Sequence, residues 1–135
     1  MTERPPLPRK PGVSAERRRA AYLWGLKAES LAVGYLRLKG YRILARRYLG
    51  GGGEADIIAR RGETIAFVEV KARGTLEQGL ASLTRDKRRR MSRAARHWLA
   101  HTSGVERMTW RGDAIFMLPG RWPQHLPGII ELVMD

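Results

Sequence analysis

Four charged residues sit at spacings that could do chemistry: Glu54, Asp56, Glu69 and Lys71. They fall in two stretches of β character, Gly53–Arg61 and Thr64–Lys71, separated by Gly62-Glu63. Glycine at the first central position of a two-residue loop suits a type II′ hairpin turn. Pairing Arg61 with Thr64 then sets Asp56 opposite Glu69, Glu54 opposite Lys71, and Ile58 opposite Phe67. Alternation places all six side chains on one face. Opposed Cβ atoms lie about 4.5–5.5 Å apart, so two facing carboxylates repel unless something positive sits between them. A divalent metal ion with Lys71 beside it meets that need. A wet hairpin face decorated with weak Glu–Lys pairs is the plainer alternative. The opposite face (Ala55, Ile57, Ala59, Ala66, Val68, Val70) is almost wholly apolar, and Ile58 and Phe67 border the acids. A strand covered on both sides favours a cleft around those acids.

Other elements must position this hairpin. Residues 1–13 are Pro-rich and basic, which predicts a disordered arm. Ser14 can cap a helix running to about Lys39, with Gly40 as its stop. Trp24, Ala28, Leu31, Tyr35 and Leu38 form one apolar stripe, and Gly25, Glu29, Ala32 and Leu36 a second row beside it. Glu29 is thus either an acid near the buried edge or a surface residue close to Lys27. A first strand covers Tyr41–Tyr48. Gly50-Gly51-Gly52-Gly53 lacks the Gly-Lys-Ser/Thr ending of a phosphate loop and precedes a strand, so a flexible loop is expected there. A polar loop follows Lys71. Thr84 can cap a second long helix to about His101, with Met91, Ala94, Ala95 and Trp98 inward. Strands at Thr109–Leu118 and Gly128–Met134 complete an α/β chain of order α-β-β-β-α-β-β, a mixed sheet flanked by helices.

The second long helix carries Arg85, Arg89, Arg93 and Arg96 outward, with Lys87, Arg88 and Arg90 on its flanks and only Asp86 as an acid. A solvated face usually mixes signs, so this one reads as a phosphate-binding surface. The whole chain agrees: 135 residues carry 26 Lys and Arg against 13 Asp and Glu, a net charge of +13. Arginine supplies 21 of the 26, and its planar fork suits phosphate. A polyanion, nucleic acid before membrane or acidic protein, is the expected partner. A genome that prefers arginine to lysine would give the same composition. The length fits one domain over 14–135. No cysteine is present, which excludes disulfides and thiolate zinc sites. No apolar run reaches a membrane span, and no signal-peptide core opens the chain, so a cytoplasmic protein is expected. His97, His101 and His125 show no metal spacing.

Glu29, Gly53-Glu54-x-Asp56 and Phe67-Val68-Glu69-Val70-Lys71 followed by Arg73 together resemble the YraN-like bacterial family. That family falls within the PD-(D/E)XK nuclease superfamily and is similar to archaeal Holliday-junction resolvases. The resemblance covers Gly25 to Asp113. It departs at Ala55 and Gly112, where larger residues are usual, and both departures are expected to loosen local packing. It implies a restriction-endonuclease-like fold and metal-dependent hydrolysis of phosphodiester bonds in DNA, with branched or structured DNA as a candidate substrate. In that implication Asp56 and Glu69 hold Mg²⁺ or Mn²⁺ with the Val70 carbonyl, and Lys71 orients or deprotonates the attacking water. Glu29 is a further ligand or orients Lys71, and Glu54 stands behind the ligands. Arg73, Arg85, Lys87, Arg88, Arg89, Arg93 and Arg96 would bind the nucleic acid, while Asp113 is left off the catalytic set. Resolvases act as symmetric dimers, which implies a homodimer. A non-catalytic nucleic-acid-binding protein on the same fold is the alternative, and a basic assembly factor for RNA or ribosomes a third.

Overall fold

The computed structural model describes residues 11–134. Most of the expected arm lies outside them, but residues 11–13 are already helical. The first helix, α1, spans Pro11–Leu38, so Ser14 is internal to it and not its cap. Proline at a first helical position loses no hydrogen bond, because that N–H has no intrahelical partner. Gly40, at φ +88°, ends the helix as expected. Tyr41 N–H donates to the Leu36 carbonyl and Gly40 N–H to that of Arg37, which is a Schellman closure.

Three strands follow: β1 (Arg42–Gly50), β2 (Gly53–Arg61) and β3 (Thr64–Ala72). A six-residue helix α2 (Leu76–Ala81) replaces the expected polar loop, capped by Thr75. Helix α3 (Arg85–Ala100) is capped by Thr84, whose hydroxyl accepts from Lys87 N–H. Then come β4 (Thr109–Met117) and β5 (Gln124–Ile130). The sheet order is β1-β2-β3-β4-β5, antiparallel except for the β3–β4 pair. This is a mixed five-stranded sheet with helices on both faces. β5 starts four residues before the expected Gly128 and includes Pro127, which an edge strand tolerates because one row of its backbone groups faces outward.

The β2–β3 register is the expected one from Arg61↔Thr64 through Ile57↔Val68. Gly62 takes φ +60°, as a type II′ turn requires. Two cores sandwich the sheet. Ala28, Ala32, Val33 and Leu36 of α1 pack on Ile57, Ala59, Ala66 and Val68. Met91, Ala94 and Ala95 of α3 pack on Ile58, Phe67, Phe116 and Ala55. Ala55 therefore lies on the α3 side, not with Ile57 and Ala59 as simple alternation predicts. Alternation breaks at Asp56. Its counterpart in β1, Arg47, adopts left-handed φ of 50° between the pairs Arg46↔Ile57 and Tyr48↔Ala55.

The glycine run is a tight turn and not a flexible loop. Gly50 pairs with Gly53, and Gly51 and Gly52 turn the chain at φ +63° and +78°. A Cβ on Gly53 would overlap the Arg90 carbonyl oxygen and lie 2.6 Å from Ala94 N. The run thus lets α3 rest directly on the sheet. Gly112 loosens nothing either, since a Cβ there would overlap the Ile130 carbonyl.

Of the helical stripe expected to face inward on α1, Ala28 does so, whereas Trp24, Leu31 and Leu38 are exposed. Glu29, Ala32, Val33 and Leu36 are buried with Ala28. The small side chains of Ala28 and Ala32 are what admit the helix to the sheet.

Candidate active site

The β2–β3 ladder stops at Ile57↔Val68, and there the two strands place acids between α1 and α3. The cleft, about 290 Å³, is lined by Glu29 from α1, Glu54 and Asp56 from β2, Glu69, Val70 and Lys71 from β3, and Lys87 from α3. All four residues of the expected catalytic set, with Val70, are thus brought together. The expected cross-strand partners differ in detail. The Asp56 carboxylate accepts from Val70 N–H at 2.8 Å, in place of a ladder bond opposite Glu69. Glu54 does not pair with Lys71; it meets Arg90 at 3.4 Å. Lys71 turns to Glu69, 2.9 Å away, and Lys87 approaches the same oxygen at 3.6 Å.

Electrostatics follow from this crowding. Burial first, then the Glu69 charge, push the Asp56 carboxyl up to about 7; the Val70 N–H and Lys71 only partly oppose them, and Glu29 adds to the rise. Burial alone would depress the Lys71 ammonium. The Glu69 carboxylate more than offsets it, so Lys71 is raised and stays protonated. Glu29, 8 % exposed, is clamped from β1: Arg47 Nε donates to both of its oxygens at 3.3 Å, and Arg46 lies 3.5 Å away. The left-handed turn at Arg47 aims that side chain, and no feature of the sequence signals it.

Donor chemistry decides whether these residues suit a divalent ion. Asp56, Glu69 and the Val70 carbonyl are hard oxygens, the type that Mg²⁺ and Mn²⁺ take, with water completing the shell. A cation would also relieve the repulsion that raises Asp56. Among the described residues no three Asp, Glu or His side chains converge closely enough to enclose an ion unaided. Two carboxylates plus backbone and water is therefore the fit.

The basic residues divide into three groups. Arg73, Arg85, Arg89 and Arg93 are exposed. Lys87 reaches into the cleft. Arg88 leans toward Glu131 at 3.7 Å, and Arg96 donates to the Val133 carbonyl at 2.6 Å. Those last two hold the C-terminal segment against α3, a use that sequence reading did not foresee.

Asp113 has a structural setting away from the cleft. It is fully buried, takes two bonds from Arg111 at 2.7 and 2.8 Å, one from Gly128 N–H at 2.9 Å and one from His125 Nε2 at 2.7 Å. Lys39 Nζ donates to His125 Nδ1 at 2.6 Å. Burial would raise the Asp113 carboxyl, but His125, Arg111 and Gly128 together hold it below the usual range.

No helix among the described residues is long and apolar enough to cross a membrane. A family model described as "Uncharacterised protein family UPF0102" matches residues 28–117, a span that contains every cleft residue named above. It is the YraN-like family that the motifs resemble. Similar relatives, each called a UPF0102 protein, include one from Methylocella silvestris, 57 % identical over 87 % of this chain and 95 % of its own. One from Methylorubrum extorquens is 53 % identical over 92 % and 97 %. One from Brucella canis is 45 % identical over 83 % and 89 %.

Proposed function

This chain belongs to the family UPF0102, and from that premise we propose that it is a metal-dependent nuclease of the PD-(D/E)XK type, with a restriction-endonuclease-like fold, acting on DNA. One observation carries the reading: Asp56, Glu69 and Lys71 converge where the hairpin ladder ends, in a cleft beside the basic helix α3. A carboxyl that burial and a neighbouring carboxylate raise, as Asp56 is raised, is costly unless it serves a cation, and an ammonium beside it suits a reaction that builds charge on phosphorus.

Asp56 and Glu69, with the Val70 carbonyl, would hold Mg²⁺ or Mn²⁺. The bound ion would supply a water made acidic enough to attack and an electrophile for the phosphodiester oxygen. The chain's own residues do the rest. Lys71, fixed by Glu69, presents an ammonium to the phosphoryl oxygens and orients the attacking water. The Val70 N–H holds the Asp56 carboxylate in place. Glu29 is kept at the cleft wall by Arg46 and Arg47, where its charge acts on Asp56. Arg85, Arg89 and Arg93 give the sugar–phosphate backbone an approach surface along α3, and Arg73 extends it from the end of β3.

A second reading is favoured by the ion pairs. Glu69 already has Lys71 and Lys87, Glu29 has two arginines, and Glu54 has Arg90. A protein that binds nucleic acid without cutting it would keep such internal neutralisation. The experiment is a cleavage screen over four-way junctions, flaps, single strands and plain duplex with Mg²⁺ or Mn²⁺, alongside Glu69→Ala. Cleavage by the wild type and not by the variant supports the nuclease; binding without metal-dependent cleavage of any substrate supports the second reading.

A further inference from the structure

The outward stripe of α1 leaves an apolar groove of about 760 Å³ between that helix and the loop after β4. Trp24, Leu31 and Tyr35 form one wall, and Leu118, Arg121 and Trp122 belong to the other. Trp24 is 45 % exposed and Trp122 78 %. Isolated exposed apolar residues need no explanation, but a rimmed aromatic groove marks a binding surface.

Charge says what kind. No acidic residue lines the groove, and Arg121 does. The Lys27 ammonium sits 5.9 Å from the Trp24 ring centre, and that of Lys39 5.3 Å from the Tyr35 ring. Aromatic faces interleaved with cations, on a chain of net charge +13, match unpaired bases with their phosphates. Position agrees as well. Lys71 and Ala72 pair with Phe116 and Met117 of β4, Arg73 N–H donates to the Met117 carbonyl, and Met117 lines the groove. The groove therefore begins one strand away from the cleft.

We propose that this groove binds a single-stranded segment of nucleic acid, its unpaired bases stacking on Trp24, Tyr35 and Trp122 while Lys27, Lys39 and Arg121 neutralise its phosphates. The inference rests on the nucleic-acid reading above and deepens it: the substrate carries an unpaired strand next to the phosphodiester presented to the cleft.

The test is fluorescence polarisation with a labelled ten-nucleotide oligothymidylate and a blunt duplex, in EDTA so that no cleavage enters. Wild type, Trp122→Ala and Trp24→Ala are compared, each checked by circular dichroism. Trp122 is mostly exposed, so its removal leaves the core intact. Each tryptophan variant should bind the oligonucleotide about 5- to 150-fold more weakly, as loss of one base–aromatic stack implies. Duplex binding should change less than about twofold. Equal oligonucleotide affinity in wild type and both tryptophan variants overturns the proposal. So does a wild-type dimer, seen by sedimentation, that Trp122→Ala turns into monomer, because a second copy would then fill the groove. These readouts need no catalysis, so a chain that binds through the groove and cuts nothing sinks the nuclease and spares the groove.

Discussion

At pH 8 the Asp56→Asn variant should unfold at a higher temperature than the wild type. Folded, the Asp56 carboxyl titrates near 7; unfolded, it returns to about 3.8. A carboxyl raised by folding works against the native state wherever the unfolded chain has already lost its proton. The native state is therefore not penalised below about pH 4, is increasingly penalised as pH rises toward 7, and is penalised by a constant amount above that. Three units of displacement at about 1.4 kcal/mol each set a ceiling near 4 kcal/mol. Water in the cleft screens this, and about 1–2 kcal/mol is the working expectation. Asparagine can still accept the Val70 N–H and carries no charge to be repelled by Glu69. The assay is thermal unfolding of both proteins at pH 4.5 and pH 8, with EDTA or with Mn²⁺. In EDTA the variant should melt several degrees higher at pH 8, at roughly 3 °C per kcal/mol, and the gap should narrow to about a quarter of that at pH 4.5. Mn²⁺ at a hundred times its dissociation constant should stabilise the wild type by about 2.7 kcal/mol and the variant by much less. A variant that is no more stable at pH 8, or that gains as much from Mn²⁺ as the wild type, would refute the idea that repelled carboxylates form a cation site.

Four further outcomes are expected. Lys71→Ala should lose metal-dependent cleavage while its DNA affinity, read by polarisation, falls less than about tenfold. DNA binding by the wild type should weaken on the order of a thousandfold between 50 and 200 mM salt, and a flat titration would remove the polyanion partner. Gly53→Ala should cost about 1–3 kcal/mol or more in urea unfolding, because the added methyl meets the backbone of α3. Asp113→Ala should cost about 3–5 kcal/mol by leaving Arg111 and His125 without their buried partner. Because folding lowers the Asp113 carboxyl, the stability it contributes is present at neutral pH and is lost as pH falls into the acid range; the gap between the urea midpoints of wild type and variant should therefore be smaller at pH 3 than at pH 7.

What the sequence made legible was local. Turn chemistry and alternation gave the β2–β3 hairpin its register from Arg61↔Thr64 to Ile57↔Val68, because Gly62 and the apolar period act within a few residues. Cap residues gave the start of α3 and the end of α1 for the same reason. The larger failures involve contacts between distant segments. Trp24, Leu31 and Leu38 have the period of an inward stripe. Yet α1 must lie close to a sheet that already carries Ile57 and Val68, and only the face that presents Ala28 and Ala32, between the two expected rows, is slim enough. Alternation fails at Asp56 because Arg47, one strand away, takes a left-handed turn that nothing in its own sequence requires. α2 is a single capped turn and a half, too short to show a period.

That one irregularity also explains why the acids share a cleft. A regular hairpin would have set Asp56 against Glu69 across a closed ladder, on a face covered by α3. With the ladder ended at Ile57↔Val68, the Val70 N–H is available to the Asp56 side chain. The strands no longer bond there, and Glu69, Lys71 and Asp56 open toward the gap between α1 and α3 that Lys87 and Glu29 reach from either side. The same break that spoils simple alternation is what turns the carboxylates toward the cleft beside α3. Restoring regular pairing at position 47 therefore should not merely tidy the sheet. It should bury Asp56, pull Arg47 away from Glu29, and close the cleft.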